Sequence, residues 1–126
     1  MPKLSIIIVA YENMDCLAAC LASIPQEPWI EVLVVNNTHQ NRGFGAGCTI
    51  GAALAQGEYL LFLNPDCLVD KNALQQMLEI IMADDSIGIL GPRLLDDKRK
   101  PYSSCNAIPT KISAPIVYSG LNAWLY

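Results

Sequence analysis

Three short apolar runs constrain this chain more than any other feature: Leu4-Ser5-Ile6-Ile7-Ile8-Val9-Ala10, Ile30 to Val35, and Tyr59 to Leu63. Each is the length of a strand, and each stops abruptly at polar residues. Near-continuous apolar runs of this size suit strands buried on both faces of a parallel sheet. The segments between them carry helical spacing instead. Asn13 is placed to cap a helix with Leu17, Cys20, Leu21 and Ile24 on one face, which Pro25 and Pro28 end. Gly43 to Gln56 reads as a helix with a glycine-rich start, Phe44, Ile50 and Leu54 as its anchors, and Gly57 as its stop. Asp70 caps a third helix, where Leu74, Met77, Leu78 and Ile81 share a face. Asp84-Asp85-Ser86 closes it before a short fourth strand, Ile87 to Leu90. This alternation predicts an α/β fold, a Rossmann-like, mostly parallel sheet of about four strands flanked by helices.

The pattern changes at Pro101. Residues 1–100 read as the domain, and 101–126 as an irregular but apolar tail, with Ile116, Val117, Tyr118, Leu121, Trp124 and Leu125. Such a tail is expected to dock on its own domain or on a partner chain. With 126 residues, 52% hydrophobic and 16% charged, the chain is sized for one globular core. A net charge of −4 argues against coating nucleic acid or anionic membrane by bulk electrostatics. The basic cluster Lys98-Arg99-Lys100 follows Asp96-Asp97 and reads as a solvated turn. No apolar run approaches the ~20 residues of a membrane span, and no secretory signal precedes the first strand, so a cytoplasmic location is expected. Five cysteines without disulfide or zinc spacing read as ordinary thiols.

Three polar clusters end the three strands: Ala10-Tyr11-Glu12, Asn36-Asn37-Thr38 and Asn64-Pro65-Asp66. The carboxyl ends of parallel strands share one rim, where open α/β sheets hold their ligands. Residues 41–51 add a glycine-rich helix start, whose exposed N–H groups suit a diphosphate. A carboxylate at Asp66, on a turn stiffened by Pro65, suits a divalent cation held against phosphate oxygens. Each cluster also has a plainer reading. Gly43-Phe44-Gly45-Ala46-Gly47-Cys48 lacks the third glycine of a dinucleotide fingerprint, and tight helix packing explains such a run as well. An Asp after Asn-Pro commonly just makes a turn. Asn36-Asn37-Thr38 matches a glycosylation acceptor by coincidence, and His39, the single histidine, offers little for a nucleophile system.

In order, Ser5 to Tyr11, Val32 to Asn37, Asn41-Arg42-Gly43-Phe44-Gly45-Ala46-Gly47 and Gly57 to Asp66 resemble the family-2 glycosyltransferases of GT-A fold. The likeness runs from about Lys3 to Leu95 and is closest to the rhamnosyltransferase-like branch, whose form of the D-x-D metal motif Asn64-Pro65-Asp66 resembles. The resemblance implies a donor site for a UDP- or dTDP-sugar. Ala10, Tyr11 and Glu12 would line the nucleotide pocket, with Tyr11 near the base. Asn36 stands where the family has an Asp accepting the ring N–H of the base, and its carbonyl accepts the same bond without charge. Asn41, Gly43 and Gly47 correspond to the family's N-x-G-F-x-x-G segment. Asp66 would bind Mg²⁺ or Mn²⁺ bridging the diphosphate, with Asn64 beside it.

Two departures accompany the likeness. Only Thr38-His39-Gln40 separates the second strand from the Asn41 segment, where the family inserts a further helix and strand. The second strand is then an exposed edge, which favours a homodimer through that edge or through the apolar tail. The chain also stops before the acceptor-side half that carries the family's catalytic base, so the catalytic residue is left unassigned. Asp70, Glu12 and a partner chain are the candidates for a base. Three readings stay open: a metal-dependent donor-binding glycosyltransferase domain incomplete in catalysis alone, a non-catalytic remnant serving as a dimeric or partner-interaction module, and an unrelated nucleotide- or phosphate-binding α/β domain.

Overall fold

A computed structural model describes residues 1–11, 14–37, 43–70 and 72–102 of the chain. The chain divides into two compact units, Met1–Leu90 and Gly91–Tyr126. The first contains the alternation expected from the sequence: β1 (Leu4–Ala10), α1 (Met14–Ser23), β2 (Ile30–Asn36), α2 (Phe44–Leu54), β3 (Tyr59–Leu63) and α3 (Ala73–Ala83). The three strands form one parallel sheet in the order β2-β1-β3. Leu4 pairs with both Ile30 and Tyr59, and Ala10 with Asn36, so the three strands start level and point the same way.

Strand order explains why three similar apolar runs meet different environments. β1 is central and buried along its whole length, with Ile6, Ile7 and Ile8 at most 1% exposed. β2 and β3 are the outer strands and are only half-buried. On one face Leu4, Ile6, Ile8 and Ala10 pack with Leu17 and Cys20 of α1, Ile24 just past its end, and Leu74 of α3. On the other face lies α2, whose Gly47 and Gly51 sit against Val9, Ile7 and Val35.

The α2 packing corrects one expectation. Phe44, Ile50 and Leu54 are exposed rather than anchoring, and the buried residues of α2 are Gly47 and Gly51. A helix that approaches a sheet of Ile and Val through glycines brings its backbone close, and its large side chains are left on the far side. A Cβ on Gly51 would overlap Ile7 Cγ2, and one on Gly47 would lie 2.6 Å from Val9 Cγ1.

A polar network ties the amino ends of the three strands. Buried Ser5 donates from Oγ to Glu31 Oε2 (2.5 Å) and accepts the Gly57 N–H (2.8 Å). The same Glu31 oxygen accepts the Gln56 N–H at 2.9 Å. The Gln56 amide first, and then the Ser5 hydroxyl, hold the Glu31 carboxyl below its ordinary range. Beside it, Lys3 forms an exposed ion pair with Glu58 (2.5 Å).

The expected fourth strand is not in the sheet. Residues 87–90 are irregular, so the parallel sheet has three strands and not about four. Asp84 Oδ1 accepts both the N–H and the hydroxyl of Ser86 (2.9 and 2.6 Å), and the Ile87 N–H bonds back to the Asp84 carbonyl (3.0 Å). That turn leads into Gly88, and Ile89 is left 94% exposed with no face to pack on. Asp70 is also not the cap of α3: Asn72 holds that position, while Asp70 Oδ1 accepts the Asn72 N–H at 3.1 Å. The intended face of α3 does turn inward, with Leu74 buried and Met77, Leu78 and Ile81 half-buried.

In the second unit, β4 (Leu94–Leu95) and β5 (Pro101–Tyr102) form a small antiparallel hairpin. Its loop is the expected solvated turn. Asp96 Oδ1 accepts the N–H groups of Lys98 and Lys100, and Arg99 takes the left-handed conformation (φ 58°) that closes a three-residue hairpin loop. The apolar tail from Ser103 to Tyr126 lies outside the described residues.

Candidate functional site

The carboxyl ends of β1, β2 and β3 lie along one rim, as the parallel register requires. α1 follows β1 on one face of the sheet and α2 follows β2 on the other. Ala10-Tyr11 and Asn36-Asn37 stand side by side on this rim, at the ends of β1 and β2. The Asn37 N–H donates to the Ala10 carbonyl (2.9 Å) and extends the pairing one residue past β2. Ala10 is nearly buried, whereas Tyr11 is 44% exposed at the rim.

α2 begins at the same rim, since Gly47 packs near the end of β1 at Val9 and Gly51 one turn deeper at Ile7. Gly43 precedes the helix with φ 85°, a conformation that suits glycine, and no side chain among the described residues caps the helix. The Asn37 side-chain amide reaches the Gly43 carbonyl at 3.5 Å. A Cβ at Gly43 or Gly45 would meet nothing within 4 Å, so packing among the described residues does not require glycine at either. The glycine run therefore divides by position. Gly47 and Gly51 serve packing, and Gly43 and Gly45 stand at a helix start, where anions are favoured.

β3 ends in a tight turn. The Cys67 N–H donates to the Asn64 carbonyl (3.2 Å), which makes Asn64 to Cys67 a four-residue turn with Pro65 at its second position. Asn64 and Asp66 are exposed, as a turn at a strand end allows. The Cys67 thiol lies 3.8 Å from Asp66 Oδ1, and the buried Cys20 thiol lies 3.7 Å from the Asn64 carbonyl. Burial pushes the Cys20 thiol up, and the neighbouring Cys67 and Asp66 add to it; burial and Asp66 do the same to Cys67. Both thiols are held protonated near neutral pH and serve as weak donors.

The strands are spaced about 5 Å apart, so the Asn36 and Asn64 ends of the rim are separated by about 10 Å. That span fits a nucleotide lying across the sheet edge. Among the sequence-derived candidates, the structure arrays Ala10, Tyr11, Asn36, Gly43, Asn64 and Asp66 on this rim, and Gly47 one turn beneath it. Glu12 and Asn41 lie outside the described residues, as do Thr38 and His39. Among the described residues no three His, Cys, Asp or Glu side chains gather into a metal-holding group. A hard cation needs no such group when phosphate oxygens and water complete its shell, and the exposed Asp66 carboxylate is the type of ligand that Mg²⁺ or Mn²⁺ takes in that role. Sequence reading did not find Ser23, whose hydroxyl accepts the Val69 N–H at the far end of the Asp66 loop (2.9 Å). A serine at the end of a helix carries no signal of what it will touch.

No helix among the described residues is long and apolar enough to cross a membrane. No curated protein matches the chain. The model of the family described as glycosyl transferase family 2 matches residues 37–108, a stretch that holds the α2 start and the Asn64-Pro65-Asp66 turn and leaves β1 and β2 before it. That match covers more than half of a chain whose parallel α/β sheet carries the motifs at its carboxyl rim, and the chain belongs to the family 2 glycosyltransferases.

Proposed function

We propose that this chain binds a nucleoside-diphosphate sugar, with UDP or dTDP as the nucleotide, across the carboxyl rim of its sheet. The base lies on the rim at the ends of β1 and β2, near Tyr11 and the Asn36 carbonyl, with Glu12 beside them. The diphosphate lies toward the start of α2, where Asn41, Gly43 and Gly47 line the approach. Asp66, with Asn64 as a polar neighbour, holds Mg²⁺ or Mn²⁺ against the phosphate oxygens. The bound cation would neutralise charge on the departing nucleoside diphosphate. The observation that carries this reading is the exposed carboxylate on the Asn64 to Cys67 turn, on the same rim as the glycine-rich start of α2.

With a single carboxylate at the seat, the cation and the nucleotide bind together. The chain acts as a donor-binding part of transfer that is incomplete in catalysis alone. The outer edge of β2 pairs with a second copy, which gives a homodimer.

Calorimetric titration of UDP and of dTDP, with and without Mn²⁺, tests the donor site. Binding is expected only with the metal and is expected to fall at least tenfold in Asp66→Ala. Absence of binding by either nucleotide at millimolar concentration, metal present, sinks the proposal. Transfer or hydrolysis of a nucleotide sugar by the purified chain would contradict the claim that it is incomplete in catalysis alone.

A further inference from the structure

The loop that presents Asp66 is held at both ends by one turn of α1. At its start, the buried Cys20 thiol donates to the Asn64 carbonyl (3.7 Å), and this carbonyl also accepts the Cys67 N–H (3.2 Å). At its far end, the Val69 N–H donates to Ser23 Oγ (2.9 Å), and the Ser23 hydroxyl donates to the Cys20 carbonyl (2.7 Å). Val69 itself packs against the core beside α1. Ser23 is the last residue of α1, where a backbone carbonyl has no helical partner. Its hydroxyl therefore satisfies a carbonyl of its own helix and a loop amide from far along the chain. Between the two anchors run Pro65, Asp66, Cys67 and Leu68, the first two in the rigid turn and Leu68 exposed.

We propose that Ser23 is a positioning residue for the donor site: its hydroxyl, with the Cys20 thiol, straps the Asn64 to Val69 loop to α1 and so sets where the Asp66 carboxylate stands at the rim. This rests on the reading of Asp66 as the cation seat. A metal-holding carboxylate on a loop is only as well placed as the loop, and the groups that orient such ligands commonly control metal affinity about tenfold or more. The strap has no part in the sheet network of Ser5, Glu31 and Gly57, so loosening it moves the loop without opening the sheet.

The test compares the natural chain with Ser23→Ala and Ser23→Thr by UDP titration at varied Mn²⁺, and by amide hydrogen exchange without nucleotide. Ser23→Ala is expected to weaken Mn²⁺-dependent UDP binding about tenfold and to speed exchange at Val69 at least tenfold. Ser23→Thr keeps the hydroxyl and is expected to restore both. Natural affinity in Ser23→Ala, or equal losses in the alanine and threonine variants, overturns the proposal. If the natural chain takes up no UDP with Mn²⁺, the donor reading fails, while exchange still decides the strap: unchanged exchange at Val69 in Ser23→Ala refutes it.

Discussion

Replacing Gly57 by alanine tests the packing of the central sheet more sharply than any other single change. A Cβ at Gly57 would lie 2.6 Å from Ser5 N, 2.7 Å from Ser5 Oγ and 2.8 Å from the Leu4 carbonyl carbon. Two of these are backbone atoms of the buried central strand, which cannot rotate away as a side-chain tip would. The chain before β3 must then retreat from β1, which costs about 1–3 kcal/mol as overpacking. Retreat also breaks the Gly57 N–H to Ser5 Oγ bond (2.8 Å) in a partly buried place, worth about 1 kcal/mol more. The sum is about 3 kcal/mol, a large share of the roughly 5–15 kcal/mol that holds a domain folded. Urea unfolding followed by circular dichroism reads it directly, and the midpoint temperature should fall by roughly 10–20 °C. Ser5→Ala separates the two parts. In that background the hydrogen bond is already gone, so Gly57→Ala should cost only the steric part, about 2 kcal/mol. A Gly57→Ala chain as stable as the natural one would refute the reasoning. A cost that vanished in the Ser5→Ala background would refute the backbone collision.

The α2 glycines should separate by position: Gly45→Ala, facing open space, is expected to stabilise by up to about 1 kcal/mol through helix propensity. Gly51→Ala should destabilise by about 1–2 kcal/mol, because overlap with Ile7 outweighs that gain; unfolding curves of both read the contrast. Glu31 is held below its ordinary range in the folded chain, so its contribution is complete above the unfolded value of about 4.3 and fades as pH falls through the lower folded value. Unfolding free energy measured against pH should show that acid-side loss in the natural chain and a smaller one in Glu31→Gln. Light scattering at high concentration should show a dimer, and Val34→Lys, on the outer face of β2, should shift it to monomer; a monomeric natural chain ends that part of the proposal.

Much of this fold was legible along the chain because its signals are local. Strand-length apolar runs, helical spacing in α1 and α3, and the turn chemistry of Asn64-Pro65-Asp66 each depend on near neighbours, and all appear where they were expected. The run Ile87 to Leu90 misled because apolar content alone does not make a strand: Asp84 and Ser86 close a competing turn just before it, and Gly88 interrupts it. The order β2-β1-β3 was decided only in three dimensions. It makes β1 fully buried while the equally apolar β2 and β3 stay half-exposed, since burial depends on which strands lie alongside. The same holds for the glycines of α2. Sequence marks them as small, but only the approach of the helix to Ile7 and Val9 tells packing glycines from open ones. The contacts between Ser5 and Gly57, and between Ser23 and Val69, join residues far apart in the chain, and no local pattern announces them. The sequence by itself determined the elements and the chemistry at the strand ends. The tertiary structure decided which of those ends lie side by side and what touches the Asp66 loop, because both depend on strand order and on contacts that exist only once the sheet has formed.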